Sequence, residues 1–478
     1  MKKTAIYYAI ILVTVGAAIM AVLHQGATLQ PPAATATAAP AAAAAADHAP
    51  SVFQSALADL ASKGAEPLSL LFLQLLVIIS ISRLAGMIFA WAGQPSVVGE
   101  MAAGILLGPS LFGWVAPEAF HFVFAPASLG SLKLMSQVGV CLFMFSVGME
   151  LDTDHMRGKA HTAVIIAHAS IVFPYLLGVV LAYFLYTGLA QPGAPFTAFA
   201  LFMGISMSIT AFPVLARILQ DKGMFKTSLG STALTCAAVG DVTAWIILAF
   251  IVAIVHASGL AASALSLGLV LLFVALMIYV VRPLLPRFLG PARVEDDNPT
   301  KGVLAFVVCV VMAAALCTEI IGIHALFGAF LAGAIMPETS GFRHKLALRL
   351  ENFSTVLLLP LFFVFTGLRT QVGLLNDAEG WLLCLLIIAV ATVGKVVGTT
   401  IPARMTGMSW GDSLQLGALM NTRGLMELIA LNIGYELGIL SPRIFTMLVI
   451  MALVTTVLTG PLLSLFGRRQ RVLLPSNI

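Results

Sequence analysis

Four charged side chains stand inside otherwise apolar stretches of this sequence: Asp241 in "CAAVGDVTAW", Lys395 in "TVGKVVGTTIP", and Arg423 and Glu427 in "NTRGLMELIALNIG". A charge near the middle of a hydrocarbon layer costs about 2.5–3.5 kcal/mol on insertion scales, so such groups face a polar cavity or a partner. A carboxylate at that depth can bind a proton or a small cation, but not both at once. Burial favours its protonated form and a nearby Lys or Arg the ionised form, and their balance can bring proton binding into the working range. A hard monovalent cation such as Na⁺ or K⁺ also needs further oxygen ligands. The hydroxyls of Ser208 and Thr210, with carbonyls freed from broken helices, would supply them. Arg423 and Glu427 are one helical turn apart, the spacing of an ion pair that would hold a broken helix together. Lys395 reads as compensation for a buried acid or for half-helix dipoles. Gly240, directly before Asp241, offers neither charge nor side-chain oxygen.

The elements that position these residues follow from composition. The chain has 478 residues, 60% hydrophobic and only 10% charged, with mean hydropathy +1.03. Runs of about 20 apolar residues recur along nearly its whole length, each long enough to cross about 30 Å of hydrocarbon as a helix. Backbone polar groups in lipid must be satisfied within the segment, and the runs are too long for barrel strands. The fold class is therefore an all-α polytopic membrane protein. Cys141, Cys236, Cys309, Cys317 and Cys384 all lie in apolar runs without metal-type spacing and read as packing residues. His168 and His324 read the same way. No Gly-rich phosphate loop, catalytic triad, metal cluster or nucleic-acid patch occurs, so neither an enzyme nor a cofactor is expected.

Thirteen spans are expected, at about 68–91, 98–115, 130–149, 162–187, 196–219, 229–256, 262–282, 301–320, 323–338, 354–369, 380–402, 413–435 and 443–467. Basic residues concentrate in alternate loops, including Arg157, Lys159, Arg217, Lys222, Lys226, Arg282, Arg287, Arg343, Lys345 and Arg349, and in the tail "GRRQR". That asymmetry puts the start of the first span outside and the C-terminus in the cytoplasm. Residues 1–26 read as a signal peptide or an N-terminal anchor, and 27–66 as an Ala/Pro-rich periplasmic linker. Glu100, Glu150, Asp152 and Glu319 sit at span ends, where a structural or gating role is expected.

The chain also repeats itself. "MAAGILLGPS" (101–110) resembles "AFLAGAIMPE" (329–338), and "CLFMFSVGMELD" (141–152) resembles "PLFFVFTGLRTQ" (360–371). The copies are displaced by seven spans, an odd number, so they have opposite orientations, the inverted repeat common among secondary transporters. The first repeat would cover 67–260 and the second 301–467, with a linker helix and loop at 261–300 and a tail at 468–478. The fifth and twelfth spans then correspond, and both are interrupted: one at "SITAFP" with Pro213, the other at Asn421, Thr422, Arg423 and Gly424. Paired interruptions in two halves point to a binding site.

Together "SITAFPVLARIL", "TCAAVGDVTAWIILA", "EIIGIHALFGAFLAGAIMP", "TVGKVVG" and "LMNTRGLMELIALNIG" resemble the monovalent cation:proton antiporters, in the branch of Kef-like and plant CHX-type exchangers. The resemblance runs from about Leu68 to Phe466. It implies a homodimer in the bacterial inner membrane. It also implies a dimerisation domain from spans 1–3 and 8–10, and a core of spans 4–6 and 11–13 that moves like an elevator. Asp241 matches the ion- and proton-binding aspartate, Thr210–Pro213 and Asn421–Arg423 the crossing unwound segments, and Lys395 the core lysine. Gly240 departs from relatives with a second acid or an Asn there, and one-for-one exchange of H⁺ for K⁺ or Na⁺ is the expectation. The sequence ends soon after the last span, without the nucleotide-binding regulatory domain of many Kef-like relatives. A sodium-coupled organic solute symporter and a potassium efflux channel or sensor are the alternatives.

Overall fold

The computed structural model describes residues 66–149, 160–225, 227–256, 260–289, 300–337 and 342–472, with positions 14, 16–18, 20–22, 24 and 63 before them. Most of the expected leader or anchor and of the 27–66 linker lies outside the described residues, as do Glu150, Asp152 and residues 473–478. Among the described residues the regular structure is helical. It runs α1 (Pro67–Trp91), α2 (Ser96–Leu107), α3 (Leu129–Met149), α4 (Ala160–Leu189), α5 (Phe196–Ser208), α6 (Phe212–Asp221), α7 (Ser228–His256) and α8 (Leu260–Leu276). The second half runs α9 (Lys301–Ile321), α10 (Ala325–Ala334), α11 (Phe342–Phe353), α12 (Leu359–Arg369), α13 (Ala378–Met405), α14 (Trp410–Met420), α15 (Leu425–Glu436) and α16 (Pro442–Val472).

Eleven helical stretches among the described residues are long and apolar enough to cross a membrane. The expected spans at 323–338 and 413–435 fall outside that number for identifiable reasons. Gly322 and His324 adopt positive φ (89° and 79°) and delay the start of α10, which is ten residues long. The other span is divided at Asn421–Gly424 into α14 and α15. Polar side chains mark other helix starts: Thr300 accepts from the Val303 amide at 3.4 Å, Asp377 from Gly380 at 3.2 Å and Ser409 from Asp412 at 3.1 Å.

The helices sort into two packed groups. In one, α4 lies against α5, α7 and α13, while α14 and α16 pack on α13. In the other, α1 packs on α2, α2 on α12, α3 on α10, and α9 on α10. Glycines set the closest approaches in the second group, as small residues do between apolar helices that gain nothing from hydrophobic contrast with lipid. A Cβ at Gly367 would strike the Gly104 carbonyl, and one at Gly333 would strike the Phe145 carbonyl, both backbone atoms that cannot swing aside. Gly367→Ala is therefore expected to cost about 1–3 kcal/mol by forcing α2 and α12 apart. Gly188→Ala, where an added Cβ meets nothing within 4 Å, serves as the control in thermal unfolding of the detergent-solubilised protein. Equal melting of the two variants would refute this packing argument.

Candidate cation and proton site

The site begins where α5 stops. Ile209 (φ −68°, ψ 140°) and Ala211 (φ −86°, ψ 100°) are extended, and α6 starts at Phe212 with Pro213 in its first turn. Proline there loses no helical donor, and its ring drives the preceding residue away from helical backbone, so the chain opens before Pro213 rather than kinking at it. In the other half, α14 ends at Met420. The chain re-enters α15 through Gly424 at φ 154°, ψ −131°, a conformation open in practice to glycine alone. A Cβ at Gly424 would also press on Val214 Cγ2 at 2.9 Å.

The two extended segments cross and bind each other. The Ala211 amide donates to the Thr422 carbonyl at 3.0 Å, and Thr210 Oγ1 donates to the Met420 carbonyl at 2.9 Å. Three threonines of α16 hold the second segment from behind. Thr456 Oγ1 donates to the Arg423 carbonyl at 2.9 Å and accepts from the Arg423 amide at 3.0 Å. Thr422 Oγ1 lies 3.4 Å from Thr459 Oγ1, and Asn421 Nδ2 donates to the Thr455 carbonyl at 3.4 Å. Backbone outside a helix at this depth is tolerated because protein groups satisfy it.

Both buried cations point at the open end of α5. Lys395 Nζ donates to the Ser208 carbonyl and, at 2.9 Å, to the Ser170 carbonyl of α4. Arg423 Nη1 donates to the Ser206 carbonyl, and its Nη2 to the Met207 carbonyl at 2.6 Å. A helix C-terminus carries unsatisfied carbonyls and the negative end of the peptide dipoles, so two cations there complement both. Arg423 Nη1 also pairs with Glu427 Oε2 at 3.0 Å, the one-turn pair expected from spacing. Lys395, Arg423 and Glu427 are fully buried. Lys395 lies within the electrostatic reach of Arg423, Glu427 and Asp241.

Asp241 sits on α7, 2% exposed, and lines a small cavity with Ile209, Ala244, Trp245, Leu248 and Met426. Ile209 belongs to the first extended segment and Met426 to the first turn of α15, so the carboxylate-bearing helix meets the crossing on both sides. Apart from Asp241 this wall is apolar. Thr210 and Ser208 are buried beside the crossing, and Ser208 Oγ donates to the Ile171 and Gly204 carbonyls at 3.0 and 2.8 Å. Gly240 is buried too, yet a Cβ there meets only Ile171 Cδ1, at 4.0 Å. The missing second acid is therefore not imposed by crowding. His168 is a packed residue, its Nδ1 2.8 Å from the Val164 carbonyl.

Comparison with known proteins bears on this arrangement. Residues 76–469 match the model of the family described as sodium/hydrogen exchanger, transmembrane. This chain belongs to that family. An Na⁺/H⁺ antiporter of Synechocystis, NhaS4, is 42% identical over 396 residues, covering 83% of this chain and 96% of the relative. Cation/H⁺ antiporter 17 of Arabidopsis thaliana is 40% identical and the K⁺/H⁺ antiporter 1 of Saccharomyces cerevisiae 31% identical. The chain spans about half the length of those two, 48% and 46%. The antiporter MjNhaP1 of Methanocaldococcus jannaschii shares the fold, with TM-score 0.58 at 15% identity over 85% of this chain and all of that one.

Sequence reasoning missed the groups that receive the two cations: the carbonyls of Ser170, Ser206 and Met207. It also missed Thr455, Thr456 and Thr459. Thr456 and Thr459 act through their hydroxyls and Thr455 through its carbonyl, and "TTVLT" shows hydroxyls in an apolar helix without showing what they hold.

Proposed function

We propose that this protein is a monovalent cation/proton antiporter in which H⁺ and K⁺ or Na⁺ compete for Asp241. The observation that carries this reading is the placement of one buried carboxylate beside two crossed, unwound segments whose helix end is already neutralised by Lys395 and Arg423. Those cations occupy the carbonyls of Ser206, Met207 and Ser208, so an incoming cation finds its negative charge on Asp241. Thr210 Oγ1 has given its proton to a carbonyl and offers only lone pairs elsewhere, as a cation ligand must. Ser208 is in the same position. Asn421, Thr422, Gly424 and Pro213 keep the segments unwound, and Glu427 holds Arg423. The relatives named above are antiporters for Na⁺, K⁺ or unspecified cations, and ion choice is left to ligand number and cavity geometry. The small size of the cavity favours an ion over an organic solute as cargo.

The packing supports two inverted repeats. Gly148 and Gly367 occupy the same place in their repeated segments, and Gly104 and Gly333 lie one residue out of register in theirs. Gly104 packs on Gly367, and Gly148 packs on Gly333. Exchange of the two halves thus brings one contact onto the other to within one residue. On this reading the α4–α7 and α13–α16 group is the moving core. The α1–α3 and α9–α12 group is the scaffold of a homodimer in the bacterial inner membrane, with the C-terminus cytoplasmic.

The core's charges bear on stoichiometry. With Lys395, Arg423, Asp241 and Glu427 all ionised, the core sums to zero. A proton or a monovalent cation on Asp241 leaves +1 in either case. If only loaded states cross, exchange is one for one and carries no net charge. In liposomes loaded with a pH-sensitive dye, Na⁺, K⁺ and Li⁺ are added in turn to a vesicle holding a pH gradient. At least one collapses it, and the reading fails if none does. Gly240→Asp has room for its Cβ and adds a second titratable site. Its exchange rate becomes sensitive to an imposed membrane potential while the parent's stays flat; a parent rate that responds to the potential overturns the one-carboxylate account.

A further inference from the structure

The end of α15 away from the crossing carries a network the exchange site does not use. Arg369, the last residue of α12, donates from Nη1 to Asn432 Oδ1 and from Nη2 to Glu436 Oε1, both at 2.8 Å. Lys133 of α3 reaches the same Glu436 oxygen at 3.2 Å. Asn432 Nδ2 donates to Thr366 Oγ1 of α12 at 2.7 Å. The Arg369 guanidinium lies over the rings of Phe365 (4.1 Å) and Tyr435 (5.1 Å), so one side chain bridges α12 and α15 by charge, hydrogen bonds and ring faces. Beneath it a cavity is lined by residues of both helix groups, including Gln137, His324, Ile433 and Asn432.

These residues differ from ordinary surface ion pairs. The Arg369 side chain is only 15% exposed and that of Glu436 24%. Burial acts to raise the Glu436 carboxyl, but the hydrogen bond and charge of Arg369, and then Lys133, outweigh it and hold it below the usual carboxylate range. The network is thus fully charged above that range and lost only as pH falls below it. α15 is a rigid rod of 12 residues, about 18 Å long. Its first turn carries Glu427 and Met426 at the site and its last turn Glu436 at the rim. Any displacement of the crossing along α12 and α3 must part Arg369 from Glu436.

We propose that Lys133, Arg369, Asn432 and Glu436 form a latch that ties the α15 rod to α3 and α12 and holds the site closed on this side. The side is the outer one in the topology expected from the basic loops. The proposal rests on the antiporter reading, because it gives the latch a movement to restrain.

The test uses the full chain in liposomes, with Cys141, Cys236, Cys309, Cys317 and Cys384 replaced by alanine and Gln137→Cys as reporter at the cavity wall. A membrane-impermeant maleimide is added outside. Glu436→Gln and Arg369→Gln are each expected to raise the labelling rate roughly 5-fold, the low end of a coupling between two states. Glu436→Arg combined with Arg369→Glu re-forms the pair and returns the rate toward the parent's. Labelling within twofold of the parent in both single variants, or no recovery in the exchanged pair, overturns the latch. Should either single variant fail to fold, Lys133→Gln, which removes one contact to Glu436, and Asn432→Ala, which removes the bonds to Arg369 and Thr366, carry the same expectation. Exchange measured in parallel separates the two readings. Labelling that responds in a protein moving no protons keeps the latch and sinks the antiporter. Exchange with unresponsive labelling does the reverse.

Discussion

Asp241→Asn abolishes cation-driven proton movement, with a fall of about 100-fold or more to the background of empty liposomes, the scale expected when a positioned proton carrier is removed. Asparagine keeps the size and shape of the side chain but carries no titratable proton and no full negative charge. Both cargoes therefore lose their binding group in one change. The fold should survive it. Asp241 lines a cavity, and Lys395 keeps the carbonyls of Ser170 and Ser208 as hydrogen-bond acceptors whatever stands at 241. A neutral amide in place of a buried carboxylate also removes a desolvation cost, so thermal unfolding in detergent should match or exceed the parent. Asp241→Glu keeps the charge on a stem one methylene longer, and some exchange should return with a weaker apparent cation affinity. The dye-loaded liposome assay with Na⁺, K⁺ and Li⁺ reads all three proteins. An Asn variant retaining more than a tenth of parental exchange removes Asp241 from the centre of the mechanism, and one that no longer folds leaves the Glu variant's partial activity to decide.

What could be read from sequence divides along a physical line. Asp241, Lys395 and Arg423 stood out because a charge in an apolar run is rare and costly. The first interruption was legible because proline dictates its own backbone and its predecessor's. The second was legible because Gly424 follows three polar residues. The partners of the two cations were not legible. They are backbone carbonyls, which every residue owns, and only the fold decides that those of Ser206, Met207 and Ser208 are the ones released at the end of α5. The α16 threonines were hidden for a related reason. In an apolar helix a threonine hydroxyl commonly bonds to the carbonyl one turn back, as Thr456 does to Ala452 at 2.7 Å. Nothing local reveals that the same oxygen also grips Arg423. The rim network was invisible because Lys133 and Arg369 meet Glu436 only through the fold, and hydropathy records each merely as a loop charge. Hydropathy likewise reads 413–435 as one crossing, since it averages over the four-residue gap that separates α14 from α15.

Arg423→Gln should be the most destabilising single change in the core, by about 3–5 kcal/mol, the cost of breaking a buried ion pair from one side. The guanidinium reaches the Ser206 and Met207 carbonyls and Glu427 together. Glutamine is shorter and uncharged, so it leaves Glu427 ionised or forces it to take up a proton, and it strips two helix-end carbonyls of their donors. Arg423→Lys keeps the charge but replaces a planar fork by a point donor that cannot serve all three acceptors. An intermediate loss follows. The decisive variant is the double Arg423→Gln, Glu427→Gln. If the main cost of the single change is an uncompensated buried carboxylate, neutralising Glu427 recovers part of it, and the double variant melts higher than Arg423→Gln alone. Residues joined in one network show such non-additivity at about 0.5–3 kcal/mol. Thermal unfolding of the parent, Arg423→Gln, Glu427→Gln and the double variant in one detergent reads the cycle. Strict additivity, with the double variant losing the sum of the two single losses, would mean that Arg423 acts on the α5 carbonyls alone and that Glu427 is a bystander. Recovery would show that the charge balance of the crossing is a folding requirement, since the same guanidinium that closes the end of α5 also pairs with Glu427.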